Sequence, residues 1–385
     1  MRIAINCQIL SVNHLGVGRY TENLVKALAD VDEENKYLLL VNSRVNLAKL
    51  PQQDNFQVLT TGIPIVGTKT RILWEQLWLP FSLLGKGVDL VHFPDLSLPV
   101  LPLLDCPYVV TIHDLTHYVF REAYTPGKIL YKRYTTPVAA RGANRIIADS
   151  ESTRQDIVKT FAVPRRKIAM VYPGLTEMFK PITNKEHLEK TRTKFHLPSR
   201  YILHVGSIDP RKNLVTLLKA YANLTKEANL PHKLIAVGPE EFNYAPILDA
   251  AQSLDMADRI AFLGFVNNED LVNIYNMAEL FVFPSIHEGF GFPPLEAMAC
   301  GVPVITSNTS SLPEIVGDAA LLIDPYDTRS LVATMLRVLT DDRLRNEMSQ
   351  RGLCRAKLFS WRKAAEETLK VYKEAATDIG KLSAR

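Results

Sequence analysis

Short apolar runs alternate with amphipathic stretches along the whole chain of 385 residues. In the first half these runs are rich in Val, Ile and Leu and lack polar alternation, which predicts parallel strands covered on both faces. Helices are predicted between them at Glu22–Leu28 and Ser152–Phe161, so the succession is βαβ and the fold class is α/β with a doubly wound sheet. The predicted strands of this half are Arg2–Asn6, Tyr37–Asn42, Phe56–Thr60, Asp89–Phe93, Tyr108–Ile112 and Arg145–Asp149.

A break in the pattern follows at residues 171–190, where Pro173, Gly174 and Pro181 interrupt any regular element. The alternation then restarts, which predicts a second Rossmann-like domain of the same class. Because ligands of such sheets lie outside the carboxyl ends of the strands, a site facing a cleft between two domains is expected. The predicted strands of the second half are 201–206, 233–238, 259–264, 280–283, 302–306 and 320–324.

Composition and charge narrow the class of protein. The formal net charge of +4 is small for this length and does not indicate a nucleic-acid binder. Cys7, Cys106, Cys300 and Cys354 form no CxxC pair, as expected for core thiols in a reducing cytosol. The N-terminus reads as a buried strand, and no apolar stretch approaches the ~18–20 residues of a membrane span. A cytoplasmic protein is predicted, one that can still lie at the inner face of a membrane.

The sharpest chemical feature is the segment PSIHEGFGFPPLEAMACGVPVI at residues 284–305. Glu288 and Glu296 stand eight residues apart around a glycine-rich turn. Pro293 and Pro294 are predicted to open a helix, because proline is well tolerated at the first helical position. Carboxylates at such a turn can accept hydrogen bonds from sugar or ribose hydroxyls. The spacing alone leaves an alternative open, a strand–turn–helix in which both glutamates are solvated caps.

The backbone amides of Gly289, Phe290 and Gly291 would converge at the start of that helix, where anions and sugar hydroxyls bind. The whole segment resembles the E-x7-E motif of retaining glycosyltransferases of family 4, which have the two-domain GT-B fold. The resemblance implies that Glu288 faces the donor sugar and that Glu296 holds the ribose. It also implies that the turn amides meet the sugar and the phosphate.

A second feature is HVGSIDPRKNLVTLLKAY, in which a predicted strand ends at Gly206. Arg211 and Lys212 follow just before a helix, where two cations can clamp a diphosphate through charge-assisted bonds. An isolated Arg–Lys pair in a loop is usually solvated, but the resemblance favours the clamp, since the family neutralises its leaving diphosphate here. Many members carry Arg directly after the strand glycine, where this chain has Ser207. Lys212 is therefore the firmer assignment and Arg211 the second cation.

In the first half, Gly16 and Gly18 precede a helix, and a GxG without a third glycine does not indicate a NAD site. By itself it indicates a tight turn, whereas the resemblance places it under the donor phosphates. His113 and Asp114 directly follow a strand. A lone histidine there is more often structural, but the resemblance implies that His113 contacts the donor sugar. His92 is a weaker candidate of the same kind.

Residues 68–84 form an amphipathic stretch with Trp74 and Trp78 one helical turn apart. Such stripes are mostly core; an acceptor groove or a membrane-facing patch is the functional alternative. Asp30-Val-Asp32 matches the Asp-x-Asp pattern of metal-dependent, single-domain glycosyltransferases. It follows a helix instead of a strand, which predicts a solvated helix end, so we expect no metal ion and no cofactor.

The resemblance covers nearly the whole chain and implies a retaining, metal-independent hexosyltransferase. It implies an acceptor-binding domain over residues 1–175, a nucleotide-sugar-binding domain over 176–359, and a C-terminal helix over 360–385 that packs back on the first domain. The runs IHDL, RILWEQLWLP and VGSIDPRKN look most like those of bacterial mannosyltransferases of polysaccharide assembly. GDP-mannose is therefore the first choice of donor and a UDP-sugar the second, with a growing glycan or lipid-linked glycan as acceptor.

Two other functions stay open. A sugar-nucleotide 2-epimerase shares this fold but would need acid and base carboxylates over the sugar. A non-catalytic glycan- or nucleotide-binding protein could have lost Lys212 or Glu288 without consequence, and both are present.

Overall fold

The computed structural model describes residues 1–11, 16–61, 67–96, 98–99, 104–241, 244–254, 256 and 258–382. Its contacts divide the chain into two compact units. Unit 1 comprises Met1–Leu115, Pro126–Gly174 and Phe359–Arg385, and unit 2 comprises Thr116–Thr125 and Leu175–Leu358.

The strands are β1 Arg2–Asn6, β2 Lys36–Asn42, β3 Phe56–Thr61, β4 Leu90–Phe93, β5 Tyr108–Ile112, β6 Arg145–Ala148, β7 Ile168–Met170, β8 Tyr201–Val205, β9 Lys233–Val237, β10 Ile260–Phe262, β11 Leu280–Phe283, β12 Val304–Ser307 and β13 Leu321–Ile323. The helices are α1 Val17–Val31, α2 Thr68–Leu77, α3 Leu79–Leu83, α4 Thr116–Val119, α5 Pro126–Gly142, α6 Glu151–Phe161, α7 Lys185–Lys194, α8 Leu214–Glu227, α9 Ala245–Ser253, α10 Asn268–Met277, α11 Phe292–Ala299, α12 Leu312–Val316, α13 Thr328–Thr340, α14 Asp342–Ala356 and α15 Trp361–Leu382.

Unit 1 is built on a parallel sheet which, in the described part of the chain, has seven strands in the order β3-β2-β1-β4-β5-β6-β7. The strand order reverses between β1 and β4, so polar residues that follow these strands gather at one edge. All six strands predicted for the first half are present. The sequence missed β7, which pairs with β6 from Ile146 opposite Ile168, because three residues are too few to show a pattern.

The C-terminal helix α15 belongs to unit 1. Ala365 and Tyr372 are buried with residues of β1, β2 and α1 in one hydrophobic cluster. The chain crosses itself closely where α15 begins, because a Cβ atom at Gly174 would lie 2.0 Å from the backbone nitrogen of Trp361. Arg145 on β6 also forms ion pairs with Glu374 and Asp378 on this helix.

Unit 2 repeats the plan with six parallel strands among its described residues, in the order β10-β9-β8-β11-β12-β13. The order reverses between β8 and β11, which are direct neighbours. Gly238, at the end of β9, adopts φ +147°, and a Cβ atom there would meet the Gly206 carbonyl oxygen at 1.9 Å. Glycine therefore lets the ends of β8 and β9 approach. Both units are α/β with parallel sheets, so the predicted fold class is confirmed.

Residues 68–84 form two helices, α2 and α3; Trp74 is buried and Trp78 is half-exposed. Two local predictions were wrong. Asp32 is not solvated: it is buried and accepts hydrogen bonds from Asn35 and Tyr37. Cys354 is exposed instead of lying in the core. Among the described residues, no helix combines the length and apolar character that a membrane span requires.

Candidate functional site

The loops that follow β8 and β11 meet at the carboxyl edge of the sheet in unit 2. Lys212 Nζ lies 2.6 Å from Glu288 Oε1, and Arg211 Nη1 lies 2.7 Å from Glu288 Oε2. The Ser285 hydroxyl donates to Glu288 Oε1 at 2.6 Å. The structure thus joins the two predicted cations to the first glutamate of the E-x7-E segment, 76 residues away in the chain.

This cluster is mostly removed from water, which strengthens its electrostatics. The side chains of Lys212 and Glu288 are 8% and 11% exposed. Burial alone would raise the pKa of Glu288, but the charges of Arg211 and Lys212 lower it to about 2. Burial, followed by the charge of Arg211, lowers the pKa of Lys212 from its ordinary value. Glu288 is therefore an ionised, doubly paired carboxylate at neutral pH.

The cation loop is held by its own polar groups. Asp209 accepts hydrogen bonds from the Arg211 amide at 2.9 Å and from the Ser207 hydroxyl at 2.8 Å. Asn213 adopts a left-handed conformation and donates its side-chain amide to the Pro284 carbonyl oxygen at 3.2 Å. Ser207 therefore supports the loop through Asp209, and Asn213 ties the loop to the segment after β11.

The glycine-rich turn is a rigid entry to α11. Gly291 is the N-cap of that helix with φ +118°, a conformation that favours glycine. The Glu288 amide donates to the Ser310 hydroxyl at 2.9 Å, and the Ser311 hydroxyl donates to the Phe290 carbonyl oxygen at 2.6 Å. Phe290 is buried, so any contact of this residue with a ligand would run through its backbone. That the amides of Gly289 to Gly291 bind a ligand stays a prediction.

Glu296 lies inside α11 and is 3% exposed. Its carboxylate accepts a hydrogen bond from the Tyr275 hydroxyl at 3.1 Å. The Glu288 side chain is only 11% exposed and is paired with both cations, so neither glutamate is a solvated cap, and that alternative is wrong. A ribose-binding role for Glu296 stays a prediction.

In unit 1, His113 follows β5 at the carboxyl edge of the sheet. Its Nδ1 atom lies 2.6 Å from Asp149 Oδ2, and its Nε2 atom lies 2.8 Å from the Pro94 carbonyl oxygen. The partners are a carboxylate and a carbonyl oxygen, which can only accept, so both ring nitrogens donate and the ring is an imidazolium. Burial would lower the pKa of His113, but Asp149 raises it to about 9. The ring of Tyr20 packs edge-on at 4.6 Å.

Sequence reasoning missed Asp149. The residue closes the predicted strand Arg145–Asp149, so the rule that singled out His113 at a strand end could have found it as well. The strands β4, β5 and β6 are neighbours and are directly followed by Pro94, His113 and Asp149 respectively.

His92 lies in the interior. It is fully buried, with Nδ1 2.7 Å from the Tyr372 hydroxyl and Nε2 2.9 Å from Thr111 Oγ1. Burial lowers its pKa to about 3, so the ring is neutral and ties α15 to the sheet. Gly16 is the N-cap of α1 with φ +46°, and Gly18 is buried in the first turn. A contact of either glycine with phosphate stays a prediction.

A buried ionic cluster near the ends of β1 and β4 was also missed. Arg71 Nη1 lies 2.6 Å from Asp95 Oδ2 and 3.2 Å from Glu75 Oε1, which also accepts from Asn6 Nδ2 at 2.8 Å. Asn6 ends β1, but Arg71 and Glu75 come from a helix, where nothing in the sequence distinguished them from surface charges. Over the part of the chain that the structure describes, no group of three or more His, Cys, Asp or Glu residues could hold a metal ion.

Comparisons with known proteins identify the family of this chain. Residues 15–177 match the family described as Glycosyltransferase Family 4, and residues 187–353 match Glycosyl transferases group 1. The O-antigen chain mannosyltransferase B of Escherichia coli is 32% identical over 97% of this chain and 100% of its own length.

Two solved structures share the fold. Sucrose-phosphate synthase from Thermosynechococcus elongatus has a TM-score of 0.77 at 20% identity and covers 97% of this chain and 98% of its own. Anabaena Alr3699/HepE, solved in complex with UDP-glucose, has a TM-score of 0.75 at 18% identity over 97% of this chain and 100% of its own.

The two parallel-sheet units have the GT-B fold of glycosyltransferases. More particularly, the chain belongs to glycosyltransferase family 4.

Proposed function

We propose that this protein is a retaining mannosyltransferase that moves mannose from GDP-mannose onto a glycan or lipid-linked glycan, without a metal ion or other cofactor. The observation that carries the proposal is the pair of cations, buried Lys212 and partly buried Arg211, fixed at the carboxyl edge of a parallel sheet beside Glu288. Such a pair suits the diphosphate of a sugar nucleotide, because charge-assisted bonds to phosphate are strong.

The choice of mannose is supported by the full-length likeness to an O-antigen chain mannosyltransferase. GDP-mannose is accordingly the first donor to test, and a UDP-sugar is the second.

In the proposed reaction, the bond between the anomeric carbon and the phosphate oxygen breaks, and negative charge builds on the leaving diphosphate. Arg211 and Lys212 stabilise that charge in a site that is already organised before the reaction. The acceptor hydroxyl bonds to the anomeric carbon on the same face, and its proton passes to the leaving phosphate oxygen. The configuration is thereby retained, and no metal ion is needed to neutralise the leaving group.

Glu288 is not proposed as a covalent nucleophile. Without a donor its two oxygens are paired with Lys212 and Arg211, and its pKa of about 2 makes it a weak base. The sequence also offers no carboxylate pair for a double displacement. His113 cannot accept a proton either, because both ring nitrogens already carry one. We assign His113 to binding the donor sugar, for which Nε2 would exchange the Pro94 carbonyl oxygen for a sugar hydroxyl.

The test is a thermal-shift screen of GDP-, UDP-, ADP- and TDP-sugars and the free nucleotides, with and without EDTA. A ligand at a hundred times its dissociation constant adds about 2.7 kcal/mol of stability. We expect a shift with GDP-mannose that EDTA leaves unchanged. NMR of the product with an added glycan acceptor then gives the linkage configuration. Appearance of an epimerised sugar nucleotide without acceptor would favour the 2-epimerase instead.

We also propose that unit 1 rests on an anionic lipid surface. Five of the apolar side chains along α2, α3 and the turn after them are 49–61% exposed. The acidic residue of this stretch, Glu75, is buried and paired with Arg71. The apolar side chains are Leu73, Leu77, Trp78, Phe81 and Leu84.

Helix α5 carries further exposed apolar side chains. Gln76 on α2 donates to the Leu98 carbonyl oxygen, and the Leu98 side chain lies against Gly142 at the end of α5. The sequence of α5 contains no Asp or Glu, while Leu130 and Tyr134 are 74% and 64% exposed beside its lysines and arginines. Exposed apolar side chains on a helix whose charged residues are all basic match an anionic membrane interface.

Vesicle sedimentation tests the lipid contact. We expect binding to vesicles that contain phosphatidylglycerol, little binding to pure phosphatidylcholine, and loss of binding in a Trp78→Ser, Phe81→Ser double variant. Equal sedimentation with both lipids, or none with either, would overturn this part of the proposal.

A further inference from the structure

We propose that Glu288 is a built-in counterion, which occupies the phosphate position of the cation clamp until the donor diphosphate displaces it. The inference rests on the proposed donor site and assigns Glu288 a role in controlling how tightly the nucleotide is held. It predicts that removing the negative charge of Glu288, although this residue belongs to the donor site, strengthens nucleotide binding.

The geometry of Glu288 is that of a bound anion. One oxygen lies 2.6 Å from Lys212 Nζ, and the other lies 2.7 Å from Arg211 Nη1. Two oxygens of a phosphate would accept from the same two donors, one from Lys212 and one from Arg211. The carboxylate and an incoming phosphate therefore compete for the same two cations.

The charges of the cluster already balance. Arg211 and Lys212 carry two positive charges, and Glu288 and Asp209 carry two negative ones, with Asp209 Oδ2 3.6 Å from Arg211 Nη2. A diphosphate that entered without displacing Glu288 would add its negative charge to a neutral, mostly buried site, where repulsion is strong. If the diphosphate instead replaces Glu288, each cation keeps an anionic partner throughout.

The two cations stay in place if Glu288 leaves. Arg211 Nη1 also donates to the His287 carbonyl oxygen at 2.9 Å. Lys212 Nζ lies 4.8 Å from the centre of the Phe283 ring, an attractive position for an ammonium group. The Ser285 hydroxyl, which donates to Glu288, lies 3.2 Å from the Arg211 carbonyl oxygen and can turn to it. Only the carboxylate has to move.

The displaced carboxylate becomes free to accept hydrogen bonds from hydroxyls of the donor sugar. The same movement of the Glu288 carboxylate thus admits the phosphate and provides an acceptor for the donor sugar. After transfer the sugar is gone, and the returning carboxylate competes with the nucleoside diphosphate for the clamp, which speeds product release.

The experiment is isothermal titration of inorganic pyrophosphate, GDP and guanosine into wild type, Glu288→Gln and Glu296→Gln. We expect Glu288→Gln to bind pyrophosphate and GDP about 10-fold tighter or more, since a competing charge is gone from a buried site. The gain should shrink with added salt, and guanosine affinity should not change. Turnover should fall, because product release slows and the sugar contact is lost.

Glu296→Gln is the matched control, because it removes the same charge from the same motif. If pyrophosphate binding tightened equally in both variants, a general change in charge would explain the result and the counterion role would be overturned. Unchanged or weaker pyrophosphate binding by Glu288→Gln would overturn it as well, while GDP binding by wild type would leave the donor site standing. Failure of wild type to bind any nucleoside diphosphate or pyrophosphate would overturn both.

A second measurement uses only the wild-type protein, so it does not require that a variant folds. In a crystal structure of wild type with GDP, we expect Glu288 to have left hydrogen-bond distance of Lys212 and Arg211, with phosphate oxygens in its place. A complex in which the carboxylate keeps both contacts beside the phosphate would contradict the exchange.

Discussion

The Nδ1 atom of His113 lies 2.6 Å from Asp149 Oδ2, and this contact determines the protonation of the ring. The pKa of His113 is raised to about 9, well above the ordinary value near 6.5. The imidazolium is therefore present across the physiological range. A histidine whose second nitrogen faced a donor group would be neutral there and could act as a base.

This contact makes stability depend on pH in a defined direction. Because the folded pKa of His113 lies above the unfolded one, its contribution is complete below about pH 6.5 and is lost as pH rises through 9. We expect Asp149→Asn to lower the free energy of unfolding by ~1–3 kcal/mol at pH 6 and much less at pH 10. Thermal unfolding of wild type and Asp149→Asn between pH 5.5 and 10 measures this. A difference that is the same at every pH would show that the ion pair is not the cause.

Lys212→Ala should reduce kcat by about 10²–10³-fold, since one charge that stabilises the leaving group is lost. The fold should persist, because Glu288 keeps its contacts with Arg211 and Ser285. Steady-state kinetics and urea unfolding on one preparation separate the two effects. Lys212→Arg, which keeps the charge but not the shape of the buried site, should recover only part of the activity. Near-normal turnover in Lys212→Ala would remove Lys212 from the mechanism.

Glu296→Gln should weaken GDP binding about 10-fold and leave pyrophosphate binding almost unchanged. The reason is that a ribose hydroxyl loses a charged acceptor, whereas the phosphate clamp is intact. Titration calorimetry with both ligands is the measurement. Tyr275→Phe, which removes the hydroxyl that donates to Glu296, serves as the control for effects on the position of the carboxylate. A parallel loss of pyrophosphate affinity in Glu296→Gln would contradict a ribose-specific role.

The two tryptophans of residues 68–84 should behave oppositely. Trp74 is 3% exposed, so Trp74→Ala should lower the free energy of unfolding by ~3–5 kcal/mol. Trp78 is 49% exposed, so Trp78→Ser should change stability by less than about 0.5 kcal/mol and instead weaken binding to anionic vesicles. Chemical denaturation and vesicle sedimentation on both variants give the comparison. Strong destabilisation by Trp78→Ser would mean that this side chain is part of the core.

Much of the fold could be read from local pattern. The run Tyr108–Ile112 is continuous and apolar because both faces of that strand are covered, and helix α1 follows a periodic apolar stripe. By contrast, β7 has three residues, two of them only partly buried, and leaves no pattern to detect. The amphipathic pattern of residues 68–84 did not show where α2 ends and α3 begins.

The sequence predicted which residues form the candidate site but not how their side chains pair. His113 was noticed because it directly follows a buried strand, whereas its role and those of Lys212 and Glu288 were predicted from the resemblance to the glycosyltransferase family. Asp209 and Asn213, which hold the cation loop, carry no comparable pattern, since any polar residue in a loop can be solvated.

What the sequence by itself determined is the alternation of strands and helices, the two α/β units and the strand ends that carry chemistry, because backbone periodicity and burial act over short spans of chain. Only the tertiary structure decided which charges pair. Glu288 meets Lys212 across 76 residues because β8 and β11 are neighbours, and Asp149 meets His113 across 36 because β5 and β6 are. Those contacts, in surroundings largely removed from water, determine that Glu288 is an anion and His113 a cation, since the charge state of such a group depends on what surrounds it in space.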